Sequence, residues 1–330
     1  MRIVIAGFGT VGQGFAEVLH RKAGVFGRPV KIVAAFDSRS YAADANGLDP
    51  LELIKRKKEK GSVGTKKMGS GIDVLNAVDY DVLVEVGPTD IKTGGDGLKY
   101  IEHALKNGKD VITVNKGPLA LKFKELNKLA KKKDLMFRFE GSVGGAMPII
   151  NLCNESLKGE QIRSIRGIFN GTCNYILSRM DTGLPFEQAL KEAQQLGYAE
   201  ADPSYDIDGI DTACKIVILA NAIFNRNVTF ADVSITGITS VSNEAIALAE
   251  DQGMVIRLIG EVSDTVLEVS PRLVPMGHPL SISGTLNTAR IQTDLAGTIN
   301  ISGKGAGSIE TASAILSDLM TIMDRRRGSA

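Results

Sequence analysis

Between Gly197 and Lys215 the chain reads Gly-Tyr-Ala-Glu-Ala-Asp-Pro-Ser-Tyr-Asp-Ile-Asp-Gly-Ile-Asp-Thr-Ala-Cys-Lys. Five acids, Glu200, Asp202, Asp206, Asp208 and Asp211, fall within twelve residues, and Lys215 follows Asp211 by four. Residues four apart stack on one face of a helix. On a surface such a pair contributes only about 0.3–0.5 kcal/mol. This helix does not read as a surface helix. It continues as Ile-Val-Ile-Leu-Ala from Ile216, and the face of Asp211 and Lys215 runs on into Ile218 and Ala222. Charges entering an apolar strip are costly to desolvate unless paired, which makes this pair a candidate for proton chemistry.

A second chemical signal opens the chain. Arg2 to Ala6 reads as a buried strand, followed at once by Gly7-Phe8-Gly9-Thr10-Val11-Gly12 and a helix with Phe15, Val18 and Leu19 inward. This is G-x-G-x-x-G between a strand and a helix, the context that gives the motif its meaning. Gly7 permits the tight turn, Gly9 lets a pyrophosphate approach the backbone, and Gly12 lets the helix pack closely. The helix N-terminus favours the anion. The second strand, Val30 to Phe36, ends in Asp37-Ser-Arg39. An acid here suits the ribose 2′-hydroxyl of NAD, and a nearby Arg suits the 2′-phosphate of NADP, so the local signal is mixed. Lys55-Arg-Lys-Lys-Glu-Lys60, with Lys66 and Lys67, is either a solvated helix end and loop or a source of a further cation for that phosphate.

Strands and helices then alternate. Asp81 to Val86 is a strand ending at Gly-Pro-Thr89, and Asp110 to Val114 is a strand ending at Asn115-Lys116. Repeated βα units predict a doubly wound parallel sheet, whose ligands bind beyond the carboxyl ends of the strands. Thr89 and Lys116 therefore face the cofactor crevice, although a strand-end lysine is also an ordinary surface residue. Glu140-Gly-Ser-Val-Gly-Gly-Ala-Met-Pro148 leaves this domain through a glycine-rich loop, which reads as a hinge or as a cluster of carbonyls suited to a hard cation. Beyond it come a strand from Ile162, a helix from Gly171, an antiparallel region from Met254 to Ser302, the turn Gly303–Gly307 and a final helix carrying Ile309, Ala312, Ile315, Leu316 and Leu319 on one face.

The fold class is thus α/β: a Rossmann-type doubly wound parallel sheet over residues 1–140, an α+β catalytic and dimerisation domain over 141–302, and a C-terminal helix over 303–330 that packs back on the first domain. With 39 basic and 38 acidic residues, nothing global suggests a nucleic-acid partner. No apolar run approaches the ~18 residues of a membrane span. Three cysteines without metal spacing, and no signal segment, predict a cytoplasmic protein with reduced thiols.

These residues closely resemble homoserine dehydrogenase over nearly the whole chain: the Gly-Phe-Gly-Thr-Val-Gly start, Asn115-Lys116, Glu140-Gly-Ser-Val-Gly-Gly, Phe169-Asn-Gly-Thr-Cys-Asn-Tyr-Ile, the Gly197–Lys215 block and the late Gly-x-Gly-x-Gly. The middle block is highly specific, because its order of acids and lysine is not a general Rossmann feature. The resemblance implies NAD(P)-dependent interconversion of L-aspartate 4-semialdehyde and L-homoserine, on the route to threonine, methionine and isoleucine. It makes Lys215 the proton donor, with Asp211 holding the substrate beside it. Glu200, with Asp206, would bind the substrate, Glu200 taking its ammonium. Lys116 would sit near nicotinamide and substrate and share the acid–base role. Glu140, Val143, Gly145 and Met147 match a loop whose carbonyls hold a monovalent cation, sodium or potassium. Thr89, Gly197 and Gly305 match cofactor contacts. Arg39, helped by Lys57, favours NADP, while Asp37 keeps NAD open. The resemblance is to a short form without a regulatory domain or fused kinase, so a homodimer not inhibited by threonine is expected.

Two other readings compete. In one, Cys173 is the nucleophile of a semialdehyde dehydrogenase, which requires a nearby base. In the other, the chain is a non-catalytic dinucleotide-binding redox sensor, which would leave the Asp211–Lys215 strip unused.

Overall fold

The computed structural model describes residues 1–67 and 69–328. They form two compact units, 1–142 with 307–328 and 143–306. In the first unit, β1 (Arg2–Ala6), β2 (Lys31–Phe36), β3 (Ser40–Leu48), β4 (Lys66–Lys67), β5 (Val82–Glu85), β6 (Asp110–Thr113) and β7 (Phe137–Arg138) make one sheet in the order β4-β3-β2-β1-β5-β6-β7. The five strands from β2 to β7 are parallel, and they read as apolar runs because both faces are covered. The chain leaves β1 towards β2 and later returns to β5 on the other side, so the topological switch lies between β1 and β5. In doubly wound sheets that is where ligands bind.

One edge of this sheet departs from the all-parallel expectation: β3 and β4 are antiparallel. The sequence gives little warning, since Ser-Tyr-Ala-Ala-Asp-Ala-Asn-Gly-Leu is poor in β-branched residues. The basic stretch Lys55–Lys60 after it is the C-terminal half of a helix, Pro50–Lys60. Asp49 caps it, accepting the Leu51 and Glu52 N–H groups at 2.7 and 3.3 Å, with Pro50 at the first helical position and Gly61 closing the end.

The helices are α1 (Thr10–Arg21), α2 (Pro50–Lys60), α3 (Gly71–Ala77), α4 (Gly95–Lys106), α5 (Lys116–Lys132), α6 (Ile149–Asn151), α7 (Gly171–Met180), α8 (Phe186–Gln195), α9 (Ser204–Ile207), α10 (Ile210–Ala222), α11 (Asn243–Asp251) and α12 (Ser308–Gly328). In the first unit α12 packs on α1, and Ala312, Ile315, Leu319, Ile322 and Met323 join Ile3, Ile5 and Phe15 in one core. Ile309, expected on that face, is 37 % exposed. Polar clamps fix the helix laterally. Asp318, fully buried, accepts from Arg138 Nε at 3.1 Å and the Glu140 N–H at 2.9 Å, and Arg326 Nε donates to Asp110 Oδ2 at 2.9 Å.

The second unit has a six-stranded sheet in the order β13-β12-β8-β10-β11-β9, from β8 (Ile162–Ile168), β9 (Ser234–Ile235), β10 (Met254–Ser263), β11 (Leu267–Pro275), β12 (Leu286–Thr293) and β13 (Thr298–Lys304). All neighbours are antiparallel except β9 with β11. The helix α10 packs on β10 and β11, and every residue from Asp211 to Asn221 is buried. A helix apolar all round must be enclosed, and this one carries its two charges inside.

Candidate active site

In the second unit, Asp211 and Lys215 are each 7 % exposed. Lys215 Nζ donates to Asp211 Oδ2 at 2.6 Å and to the Phe169 carbonyl at 2.5 Å. The turn before α7 supplies a second link: Asn170 Nδ2 donates to Asp206 Oδ1 at 2.6 Å and to Asp211 Oδ2 at 3.0 Å. Three charged side chains therefore meet at residues 169–170. Burial pushes the Asp206 carboxyl above its usual range, and the Asp211 charge adds to that push, while the Asn170 amide and Lys215 oppose it. The other acids of the block do not join. Glu200 is exposed, with Gln194 Nε2 donating to its backbone carbonyl at 3.1 Å. Asp202 accepts the Ser204 N–H, Asp208 is exposed, and Gly197 is a left-handed exposed turn at φ 74°.

Cys173 lies beside this cluster, fully buried, and its thiol donates to the Asp206 carbonyl at 3.1 Å. Burial, reinforced by Asp206 and Asp211, drives the thiol well above its ordinary range. A group held as a thiol, bonded to a carbonyl rather than a base, is a poor nucleophile, which argues against cysteine chemistry.

In the first unit the switch point is built by close approach. Gly7 adopts φ 100°, and a Cβ there would lie 2.7 Å from the Val86 carbonyl. Gly12 packs on the Gly7 carbonyl itself, leaving no room for a side chain. Gly9, by contrast, is exposed and faces open space, and it caps α1 without any side-chain bond or first-turn acid. An open, uncapped helix N-terminus beside a glycine turn fits a pyrophosphate. The Phe8 side chain is fully buried in the core, so only its backbone is available to a ligand; Thr10 is exposed and Val11 half-buried.

At the end of β2, Asp37 accepts from Lys57 Nζ at 2.6 Å and from the Arg39 and Ser40 N–H groups at 2.8 Å each, while Arg39 remains exposed. At the ends of β5 and β6, Asn115 caps α5 through the Gly117 N–H at 3.1 Å and donates to the Pro88 carbonyl at 3.1 Å. The segments of Thr89 and Lys116, both half-buried, are thereby tied together. Under them sits Glu85, which sequence reasoning missed. Its carboxyl accepts from Thr113 Oγ1 at 2.7 Å, the Gly87 N–H at 2.9 Å and Asn115 Nδ2 at 3.2 Å. Burial pushes it above the usual range. A glutamate inside the apolar run of β5 was the available signal. Asn170 was missed as well, for only its place before a helix is legible in sequence.

The loop of Glu140, Val143, Gly145 and Met147 spans the boundary between the units, with Glu140 in the first and the other three in the second. Glu140, Val143 and Met147 are buried. Gly145, at φ 55°, packs against Gly305: a Cβ there would lie 2.7 Å from the Gly305 carbonyl. Among the described residues no group of three or more His, Cys, Asp or Glu could hold a metal ion, so a cation here would rely on backbone oxygens.

Residues 7–140 match the model of the homoserine dehydrogenase NAD binding domain, and residues 148–320 match that of homoserine dehydrogenase. The chain is 51 % identical to the homoserine dehydrogenase of Methanocaldococcus jannaschii, over 98 % of each protein. The chain belongs to the homoserine dehydrogenase family. Its fold agrees. A structure from Archaeoglobus fulgidus assigned to the same family superposes with a TM-score of 0.92 at 48 % identity, covering 98 % of this chain and 99 % of that one. A hyperthermophilic archaeal homoserine dehydrogenase in complex with NADPH superposes at 0.88 and 30 % identity, covering 98 % of each. This homoserine dehydrogenase family member is an NAD(P)-dependent oxidoreductase with a nicotinamide dinucleotide as cofactor and a small molecule as substrate. Among the described residues no helix is long and apolar enough to cross a membrane.

Proposed function

We propose that Lys215 and Asp211 carry the proton transfer of the homoserine dehydrogenase reaction, in which L-aspartate 4-semialdehyde and L-homoserine interconvert. The carrying observation is the bonding of Lys215. An ammonium has three N–H donors, and two are taken, by the Phe169 carbonyl and by Asp211. The third remains for the substrate oxygen. When bound, the reduced dinucleotide would supply a hydride to the aldehyde carbon. Negative charge then develops on oxygen, where a positioned ammonium stabilises it and gives up its proton. Asp211, 2.6 Å from the same ammonium, holds it in place until that moment. Glu200 and Asp206 offer carboxylates to the substrate ammonium.

The first unit holds the dinucleotide at Gly7, Gly9 and Gly12, with Thr89 and Lys116 on the nicotinamide side, where Lys116 shares the acid–base role; Gly197 and Gly305 are assigned further cofactor contacts. NADP is preferred, because Asp37 is already paired with Lys57 while Arg39 is exposed to receive a 2′-phosphate. A sodium or potassium ion on the carbonyls of Val143, Gly145 and Met147 and on Glu140 would stiffen that loop.

The protein works as a homodimer through the second sheet. Gly260 faces α10, so its neighbour Glu261 points to the opposite face. There the register aligns Glu268, Glu261, Arg166, Arg290 and Asn300 across five strands, and Arg166 pairs with Glu261 at 2.7 Å. Acids at one end and arginines at the other are self-complementary about a two-fold axis. A mass measurement giving a monomer would defeat this part. For the reaction, the test is reduction of L-aspartate 4-semialdehyde by NADPH. Absence of turnover in a folded sample that binds NADPH would overturn the assignment.

A further inference from the structure

The side chain of Asn170 does two separable things. Its Oδ1 accepts the Cys173 N–H at 2.8 Å, which caps α7. Its Nδ2 has two hydrogens, and they go to two different carboxylates, Asp206 at 2.6 Å and Asp211 at 3.0 Å. The neighbouring Phe169 carbonyl takes one N–H of Lys215. Asn170 is 5 % exposed, so these bonds form in a site with little water to replace them.

We infer that Asn170 is a positioning residue for the oxidoreduction: its amide holds Asp206 and Asp211 at a fixed separation and, through Asp211, aims Lys215. The inference rests on the reading of Asp211 and Lys215 as the reacting pair.

The chemistry requires an amide at this position. An ionised carboxylate only accepts, and two of them in one buried site repel, so that one resists ionisation. An NH₂ group, donating once to each, offsets that repulsion without adding a charge that would compete with Lys215. The remaining titratable groups around Asp206 are Cys173 from α7, Lys215 and Asp211 from α10, and Tyr205 and Asp208 from its own turn. None can substitute for the bridge, because Tyr205 directs its hydroxyl to Cys214 Sγ at 3.7 Å and the Cys173 thiol to the Asp206 carbonyl.

Capping and bridging come apart on substitution. Serine and aspartate cap helices about as well as asparagine, yet neither offers a pair of N–H donors. Asn170→Ser keeps the cap but leaves two carboxylates without their amide donor, so it should melt below the parent while keeping the parent's affinity for NADPH, read by fluorescence. Its kcat should fall by at least ~10-fold, within the range expected when a catalytic group is misplaced. The acid limb of its kcat–pH profile should move to higher pH, since the acids have lost a donor that favoured their charged forms. Asn170→Asp should lose more, because a third carboxylate enters the cluster. Asn170→Ala should match the serine variant in kcat but melt lower. Lys215→Ala is assayed alongside. If Lys215→Ala is inactive while Asn170→Ser and Asn170→Asp keep the parent's kcat and pH profile, Asn170 is only a cap and the inference is overturned alone. If Lys215→Ala is fully active, the reading of the site is overturned, and this inference with it.

Discussion

Lys57 Nζ and Asp37 Oδ2 are 2.6 Å apart, with their side chains 21 % and 9 % exposed. Burial raises the Asp37 carboxyl, but Lys57 and the Arg39 and Ser40 N–H groups outweigh it, holding the carboxyl below its usual range. A carboxylate with these partners is a weaker acceptor for a ribose hydroxyl than a free one. Arg39→Ala should therefore lower kcat/KM for NADPH relative to NADH by about 10-fold or more, the scale of one hydrogen bond to a charged group. Lys57→Ala should release Asp37 and improve relative use of NADH. Ratios equal to the parent's in both variants would show that the 2′-phosphate is not held here.

Lys215→Ala should reduce kcat by at least ~10²-fold, the scale of lost general acid catalysis, and change KM far less, because the missing bond strengthens in the transition state. Steady-state kinetics at saturating NADPH provide the check. A normal kcat would transfer the proton-donor role to Lys116.

Glu200→Ala should act on binding instead. Its carboxylate is exposed and outside the buried cluster, so its loss leaves the packing intact. The expected outcome is a raised KM for L-aspartate 4-semialdehyde with kcat nearly unchanged. An unaltered KM would remove Glu200 from the substrate site.

Glu85 should reveal itself in stability. Its folded pKa is raised from the ordinary 4.5 by burial, so the folded state binds its proton more tightly than the unfolded state does. Stability from this group is then fully present below the unfolded value and is lost as pH rises to the folded one. Glu85→Gln removes that loss while keeping a carbonyl for Gly87 and Asn115 and an amide that can meet Thr113. Its urea midpoint at pH 7 should equal or exceed the parent's. Glu85→Ala orphans three donors and should cost about 2–4 kcal/mol. A glutamine variant as unstable as the alanine variant would show that the charge itself is needed.

Much of this was legible in the chain. The strand–glycine turn–helix at the start could be read from local pattern because its constraints are local: Gly7 and Gly12 answer to neighbours within a few residues and to the end of an adjacent strand. The same holds for Asp211 and Lys215, whose spacing of four fixes their contact on any helix, and whose burial followed from the apolar run after them. The mixed edge of the first sheet escaped because β3 lacks the apolar alternation that marks a strand and is held mainly by its register against β2. Asn170 and Glu85 escaped for a different reason. Asn170 meets its carboxylates 36 and 41 residues further along, and Glu85 meets Thr113 and Asn115 at 28 and 30. Sequence determined which groups could ionise and which helices and strands would carry them. Tertiary structure alone decided which donors face which carboxylates, because a hydrogen bond depends on distances of a few tenths of an ångström that no local pattern encodes.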